Sequence, residues 1–200
     1  MQKITVLVSG GGTNLQAIID AITCGEIKNA KIVQVISSNS KAFSLERARK
    51  HGIAAKVIDK ETYPDLNDRT DALIFALKEE DTDLVVLAGY MSVLDAKLIQ
   101  AYEGRIINIH PSLIPKFCGK GFYGKRVHQA VLDAGETQTG ATVHFVDEGV
   151  DTGEVILQES VPVLNGDTAD ILAARVLITE HKILIKAIKK LLEEKNLGGK

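Results

Sequence analysis

Asn108 and His110, two residues apart in RIINIHP, are the first side chains whose types and spacing suggest chemistry. In a strand, residues i and i+2 project to the same side, so a carboxamide donor and an imidazole can aim at one point. A strand-end asparagine or histidine also serves simply as a turn or edge residue, and each taken alone has that plainer reading. Asp151, in the glycine-rich stretch DEGVDTG, is by itself an ordinary turn aspartate. Placed beside His110, its carboxylate would hold the ring's tautomer and favour its protonated form. His144, in TVHFV, lies in strand register and is either packed there or supports the others. Together these groups suit a carbonyl that becomes an oxyanion: Asn108 and a protonated His110 would donate to the oxygen, while Asp151 orients the ring and helps relay a proton. Cys118 has no base near it in sequence and is read as non-catalytic.

A second constellation follows the β-branched run at residues 4–8. SGGGTNL places flexible backbone and two small polar side chains where a helix begins. Gly12, Thr13 and Asn14 there form either a tight strand-to-helix turn or an anion site, because free N–H groups and the positive end of a helix dipole attract phosphate or carboxylate. The loop matches neither GxGxxG nor GxxxxGK[ST]. The next strand runs into SSNS with no acidic residue at its end, which argues against a nicotinamide dinucleotide.

The elements that must position these residues alternate. Strands are predicted at 4–8, 32–36, 55–58, 84–88 and 105–109, with helices after the glycine loop and over 44–51, 64–80 and 95–102. This alternation predicts βαβ crossovers and a mostly parallel sheet. Beyond it, TVHFV (142–146) and VILQESVPV (155–163) read as an antiparallel ribbon, and a long helix over 170–194 closes the chain, its tail from 189 solvated and frayed. The expected fold is α/β, a Rossmann-like open twisted sheet, parallel in the N-terminal half, with an antiparallel ribbon and a long C-terminal helix. Residues 1–200 are taken as one domain. Two prolines make HPSLIPKF a rigid segment that can fix the direction of His110. The glycine- and lysine-rich loop 117–125 is either a lid or simply a loop.

Composition bounds the function. Lys and Arg number 24 against 26 Asp and Glu, so the net charge is −2, and no dense basic run offers a nucleic-acid surface. No apolar stretch reaches the roughly 18 residues of a membrane span, and the N-terminus lacks the long apolar core of a signal peptide. Cys24 and Cys118 lie far apart with no Cys/His cluster, which fits a reducing cytoplasm and gives no metal or disulfide framework.

The ordered segments SGGGTNLQAII, SNSKAFSLERARKHGI, LVVLAGYMSVL, NIHPSLIPKF, GATVHFVDEGVDTGEVILQ and RVLITEH resemble the folate-dependent formyltransferases over nearly the whole chain. The HPSL element is shared across that superfamily. The GGxTNL loop and the single-domain length resemble its glycinamide ribonucleotide branch, from purine synthesis. The resemblance implies transfer of formyl from 10-formyltetrahydrofolate, a co-substrate, to the amine of glycinamide ribonucleotide, with no metal and no tightly bound cofactor. It implies that Gly12, Thr13 and Asn14 hold the nucleotide's phosphate in the N-terminal half and that Glu180 contacts the same substrate. Met91, Ser92, Val93 and Leu94, together with Asp147, Glu148, Gly149 and Val150 of the C-terminal half, would line the folate pocket. Asn108, His110 and Asp151 would carry the chemistry, with His144 in support. Two positions depart from the pattern: Ser92 stands where relatives often have arginine, and Leu177 where some place a glutamine. The implied partners are these two small molecules, with no nucleic acid and no membrane, in a monomer or homodimer. The competing readings are a hydrolase or another amine formyltransferase using the same folate, and a non-catalytic nucleotide-binding module.

Overall fold

The computed structural model describes residues 1–197, with side chains through Glu194. Thirteen elements alternate along the described chain: β1 (Gln2–Val8), α1 (Thr13–Thr23), β2 (Ala30–Ser37), α2 (Phe43–Lys50), β3 (Ala54–Val57), α3 (Leu66–Glu79), β4 (Leu84–Leu87), α4 (Ala96–Ala101), β5 (Ile106–His110), α5 (Lys125–Asp133), β6 (Gln138–Phe145), β7 (Val155–Pro162) and α6 (Ala169–Leu197). The strands run in the order β3-β2-β1-β4-β5-β6-β7. The chain divides into two compact units, Met1–Ile107 and Asn108–Lys200.

In the first unit, β1 pairs in parallel with β2 and with β4, and β2 pairs in parallel with β3. β1 and β4 are central strands covered on both faces, which is why their sequences read as unbroken apolar runs rather than alternating ones. Ile4, Val6, Leu7, Val85 and Val86 are fully buried. Each such side chain contributes about 1.5–3 kcal/mol relative to an exposed one. Two polar groups inside this core find partners: Thr5 Oγ1 and Thr82 Oγ1 lie 2.7 Å apart, and Gln34 Nε2 donates to the Ala76 carbonyl at 2.8 Å. Helix starts follow local chemistry. Asp65 accepts from the Asn67 and Asp68 N–H groups, and Asp95 from Lys97 N–H, so α3 begins two residues after the Pro64 expected from the pattern.

In the second unit, β6 and β7 form the antiparallel ribbon, with a register shift between Val143 and His144. α6 buries Leu172, Val176, Ile183, Leu184, Ala187 and Ile188 along one stripe. The structure adds α5, in a stretch where the sequence reading placed no element. Its Val127 and Val131, one turn apart, are fully buried. The expected frayed tail is corrected too. α6 continues to Leu197, with Leu192 buried while Lys190, Glu193 and Glu194 are exposed. The remainder of that tail, 198–200, lies outside the described residues. None of the helices is long and apolar enough to cross a membrane, and no group of three metal-ligating side chains occurs among the described residues.

Candidate active site

Strand order reverses at β1: the chain moves outward to β2 and β3, then returns to β4 on the other side. Ligands of open α/β sheets bind at the carboxyl ends of strands flanking such a switch. The glycine loop leaves the carboxyl end of β1. Gly12 is the N-cap of α1 in the left-handed region, φ 73°. A Cβ at Gly12 would sit 2.6 Å from Ser44 Cβ and 2.9 Å from Ser44 Cα, so this glycine is needed for close approach of α2. Gly10 and Gly11 have nothing within 4 Å of a notional Cβ, so their backbone faces open space. Thr13 is exposed and Asn14 buried. Arg47 Nε donates to the Gly11 carbonyl at 2.8 Å and its Nη1 to Gln16 Oε1 at 3.1 Å, pinning the loop and placing a cation beside it.

The segment after β4, Met91 to Leu94, lies within the same unit. Ser9 Oγ accepts the Met91 N–H at 2.8 Å and is 2.6 Å from Ser38 Oγ. One hydroxyl thus ties the carboxyl ends of β1, β2 and β4. Ser9, like Arg47, was not singled out in the sequence, because its role depends on strand order. Met91 and Val93 are 56% and 75% exposed, apolar surface open to an apolar ligand.

The second unit assembles the titratable cluster. Asn108 and His110 project from one side of β5, as their spacing requires, and His110 is buried. His144 is buried on β6 at the register shift, where the ladder's irregularity re-aims its side chain. Asp151 comes from the β6–β7 loop at φ 58°, a left-handed conformation that aspartate tolerates better than most residues. That loop is built around Asp147, whose Oδ1 accepts from Gly149 N–H at 3.1 Å and Thr152 Oγ1 at 2.6 Å. A Cβ at Gly153 would lie 1.8 Å from the Phe145 carbonyl, so only glycine closes the loop this tightly. Glu148, Gly149 and Val150 are exposed at its tip. Glu180 is buried on α6, and Leu177 is half-buried three residues earlier.

Contacts within the cluster set hydrogen positions. His144 Nδ1 donates to the Phe145 carbonyl at 2.8 Å, and its Nε2 lies 3.1 Å from Asn108 Nδ2 and 3.6 Å from Asp151 Oδ1. Asn108 Nδ2 also donates to Asp151 Oδ1 at 3.3 Å. His110 Nε2 donates to the Phe117 carbonyl at 2.9 Å, and its Nδ1 lies 3.5 Å from Asp151 Oδ2. The Gly119 N–H donates to that same Oδ2 at 2.9 Å. Burial alone would raise the Asp151 carboxyl. A hydrogen bond from His144, the charge His110 bears when protonated and the Gly119 N–H outweigh it, holding the group below the usual carboxylate range.

His110 differs from its sequence expectation. Burial pushes its pKa below the ordinary imidazole value; the Phe117 carbonyl and Asp151 act in the opposite direction without reversing it, and nearby His144 lowers it further. The ring is therefore neutral near pH 7, not charged in advance. The cost of desolvating an imidazolium exceeds the attraction of one carboxylate at 3.5 Å. His128, buried on α5, is pushed down to about 4 by burial and by His110. Cys118 is raised by burial and by Asp151, so its thiol stays protonated and unreactive.

Comparison with known proteins decides the family. A model of the family described as formyl transferase matches residues 2–188. The chain belongs to the formyl transferase family. Among similar proteins, the phosphoribosylglycinamide formyltransferase of Haemophilus influenzae is 42% identical over 189 residues, 94% of this chain and 86% of that one. The trifunctional purine biosynthetic protein adenosine-3 of Bos taurus is 44% identical over 187 residues, 94% of this chain but only 18% of that protein's length. The chain spans 62% of the chloroplastic phosphoribosylglycinamide formyltransferase of Vigna unguiculata, at 40% identity. A solved structure, glycinamide ribonucleotide transformylase 1 from Symbiobacterium toebii, superposes with a TM-score of 0.91 at 43% identity, covering 97% of this chain and 89% of that one. The mixed sheet with its antiparallel ribbon and long last helix matches the architecture of that solved structure.

Proposed function

We propose that this chain transfers the formyl group of 10-formyltetrahydrofolate to the amine of glycinamide ribonucleotide, a step of purine synthesis in the cytoplasm. The observation that carries the reading is the convergence of Asn108 and His110, from β5, with Asp151, from the β6–β7 loop, in one largely buried cluster. Its support is the match to formyl transferases over nearly the whole chain and the names of the similar proteins. The backbone of Gly11, Gly12 and Thr13 takes the nucleotide's phosphate, with Asn14 and Glu180 as further contacts of that substrate. Residues Met91 to Leu94 and Asp147 to Val150 hold the folate. Both small molecules are substrates, and the reaction is assigned no metal.

The chemistry follows from the protonation pattern. The neutral amine attacks the formyl carbon; a C–N bond forms and the carbonyl electron pair moves to oxygen. Asn108 Nδ2 donates to that oxyanion by giving up its longer contact, the 3.3 Å one to Asp151. Losing one such donor costs about 10²–10³ in rate, roughly 2.7–4 kcal/mol. The attacking nitrogen's extra proton passes to His110 Nδ1, its open acceptor, where the ionised Asp151 stabilises the imidazolium. The proton then goes to the leaving folate nitrogen as the original C–N bond breaks. No covalent enzyme intermediate is formed.

The test is a spectroscopic assay supplying formylated folate with and without glycinamide ribonucleotide. Stoichiometric formylated nucleotide is the expected outcome. Deformylation at equal rate without the amine would instead establish the hydrolase reading, and no turnover with either would leave a binding module.

A further inference from the structure

The segment between β5 and α5 meets the acid–base pair at two points that no side chain supplies. Its residue 117 carbonyl accepts the His110 Nε2–H at 2.9 Å, and its residue 119 N–H donates to Asp151 Oδ2 at 2.9 Å. The two contacts are two residues apart in one short strap and address the two partners separately. Reaching both requires left-handed backbone at Phe117, φ 52°, and at Gly119, φ 86°. A bulky residue at positive φ is uncommon and persists only where its surroundings over-determine it. Here they do. Ser112 Oγ donates to the Lys116 carbonyl at 2.6 Å, and Thr142 Oγ1 to the Ser112 carbonyl at 2.6 Å. The Cys118 thiol points to the Pro115 carbonyl at 3.2 Å, and the Phe117 ring packs edge-on against Phe122.

The geometry points to the strap Phe117–Gly119 as a positioning element of the reaction: the Phe117 carbonyl fixes His110 in the tautomer whose bare Nδ1 faces Asp151, and the Gly119 N–H pins that carboxylate in place. A carbonyl only accepts, so Nε2 must hold a proton, and in the neutral ring that burial favours Nδ1 is then the lone-pair nitrogen. The strap thus decides which nitrogen takes a proton during turnover, and does so through backbone atoms. The groups around the pair are few. His110 is faced by Asp151 from the β6–β7 loop, His144 from β6 and His128 from α5. Asp151 is faced by both His110 and His144, with the Cys118 thiol nearby.

The tautomer is independent of any substrate, so its test separates this inference from the formyl-transfer reading on which only the kinetic arm rests. Ring ¹⁵N spectra of the histidine-labelled protein at neutral pH, with His110 assigned by its loss in His110→Gln, should show protonated Nε2 and unprotonated Nδ1. The reverse tautomer overturns the proposal whatever the enzyme turns over. In the kinetic arm, an ester linkage at position 119 (glycolic acid for Gly119) deletes only the N–H. It should lower kcat about tenfold, as a misplaced reacting group does, with KM little changed. It should also move the acidic limb of the kcat profile to higher pH, because Asp151 loses a donor that favours its ionised form. An unchanged limb overturns the Gly119 role. For Phe117, activity should follow tolerance of left-handed backbone, with Phe117→Gly and Phe117→Asn above Phe117→Val. If activity follows apolarity instead, with Val above Asn, the ring and not the carbonyl matters, and the strap proposal fails.

Discussion

The glycine loop after β1 and the cluster on β5, β6 and the β6–β7 loop solve opposite physical problems. The loop is open: Gly10 and Gly11 face empty space and Thr13 is exposed, so what it could offer a ligand is backbone N–H and a helix terminus. The cluster is closed: His110 and His144 are 5% and 2% exposed, so each polar atom needs a partner inside the protein. Binding a charged group that arrives already solvated asks only for unoccupied donors. Setting protonation states asks for burial, because only a desolvated ring or carboxyl departs far from its solution behaviour. The difference teaches that affinity and turnover should be separable by mutation.

The widest separation is expected at Asp151. Asp151→Asn should lower kcat by about 10²–10³, as for removal of a group acting only in the transition state, with KM for the nucleotide nearly unchanged. Wild-type turnover in this variant would end the idea that the carboxylate stabilises a charged His110. Gly11→Val makes the converse break. Its notional Cβ meets nothing, so folding should be untouched while KM for the nucleotide rises about tenfold at constant kcat. An unaltered KM would move the phosphate elsewhere. Gly12→Val is not a substitute for that test. Its side chain would strike Ser44 at 2.6 Å and sit at φ 73°, so a lowered melting temperature is expected along with any change in KM.

The smallest effect concerns acid stability. His128 is pushed down to about 4 from 6.5 in the folded state, so the unfolded chain binds a proton there first. Stability from its neutral burial is complete above the unfolded value and drains away as pH falls from about 6.5 to 4. His110 and His181, both lowered chiefly by burial, add to the same trend. His128→Leu should flatten the fall of melting temperature with pH across that window. An equally steep fall would assign acid sensitivity to the other two rings.

Much of this was legible along the chain. ITVLV and LVVLA read as buried parallel strands because both faces of β1 and β4 are covered. The Asn108–His110 pair was visible because period-two projection is a local property. α5 was not, since in KRVHQAVLD a few apolar residues are interrupted by charged and polar ones, and the buried His128 looks polar. Ser9, Phe117 and Gly119 were equally hidden. The strap acts through main-chain atoms that every residue possesses, and Ser9 matters only once β1 lies beside β4.

Residue order alone determined the alternation of elements, the glycine-led helix start and the presence of an amide, an imidazole and a carboxylate suited to carbonyl chemistry, because those follow from local geometry and side-chain type. Which nitrogen of His110 holds a proton, and that the ring is neutral, was settled only by folding. Those properties depend on water removed and on partners as far along the chain as Asp151, and no short-range pattern encodes either.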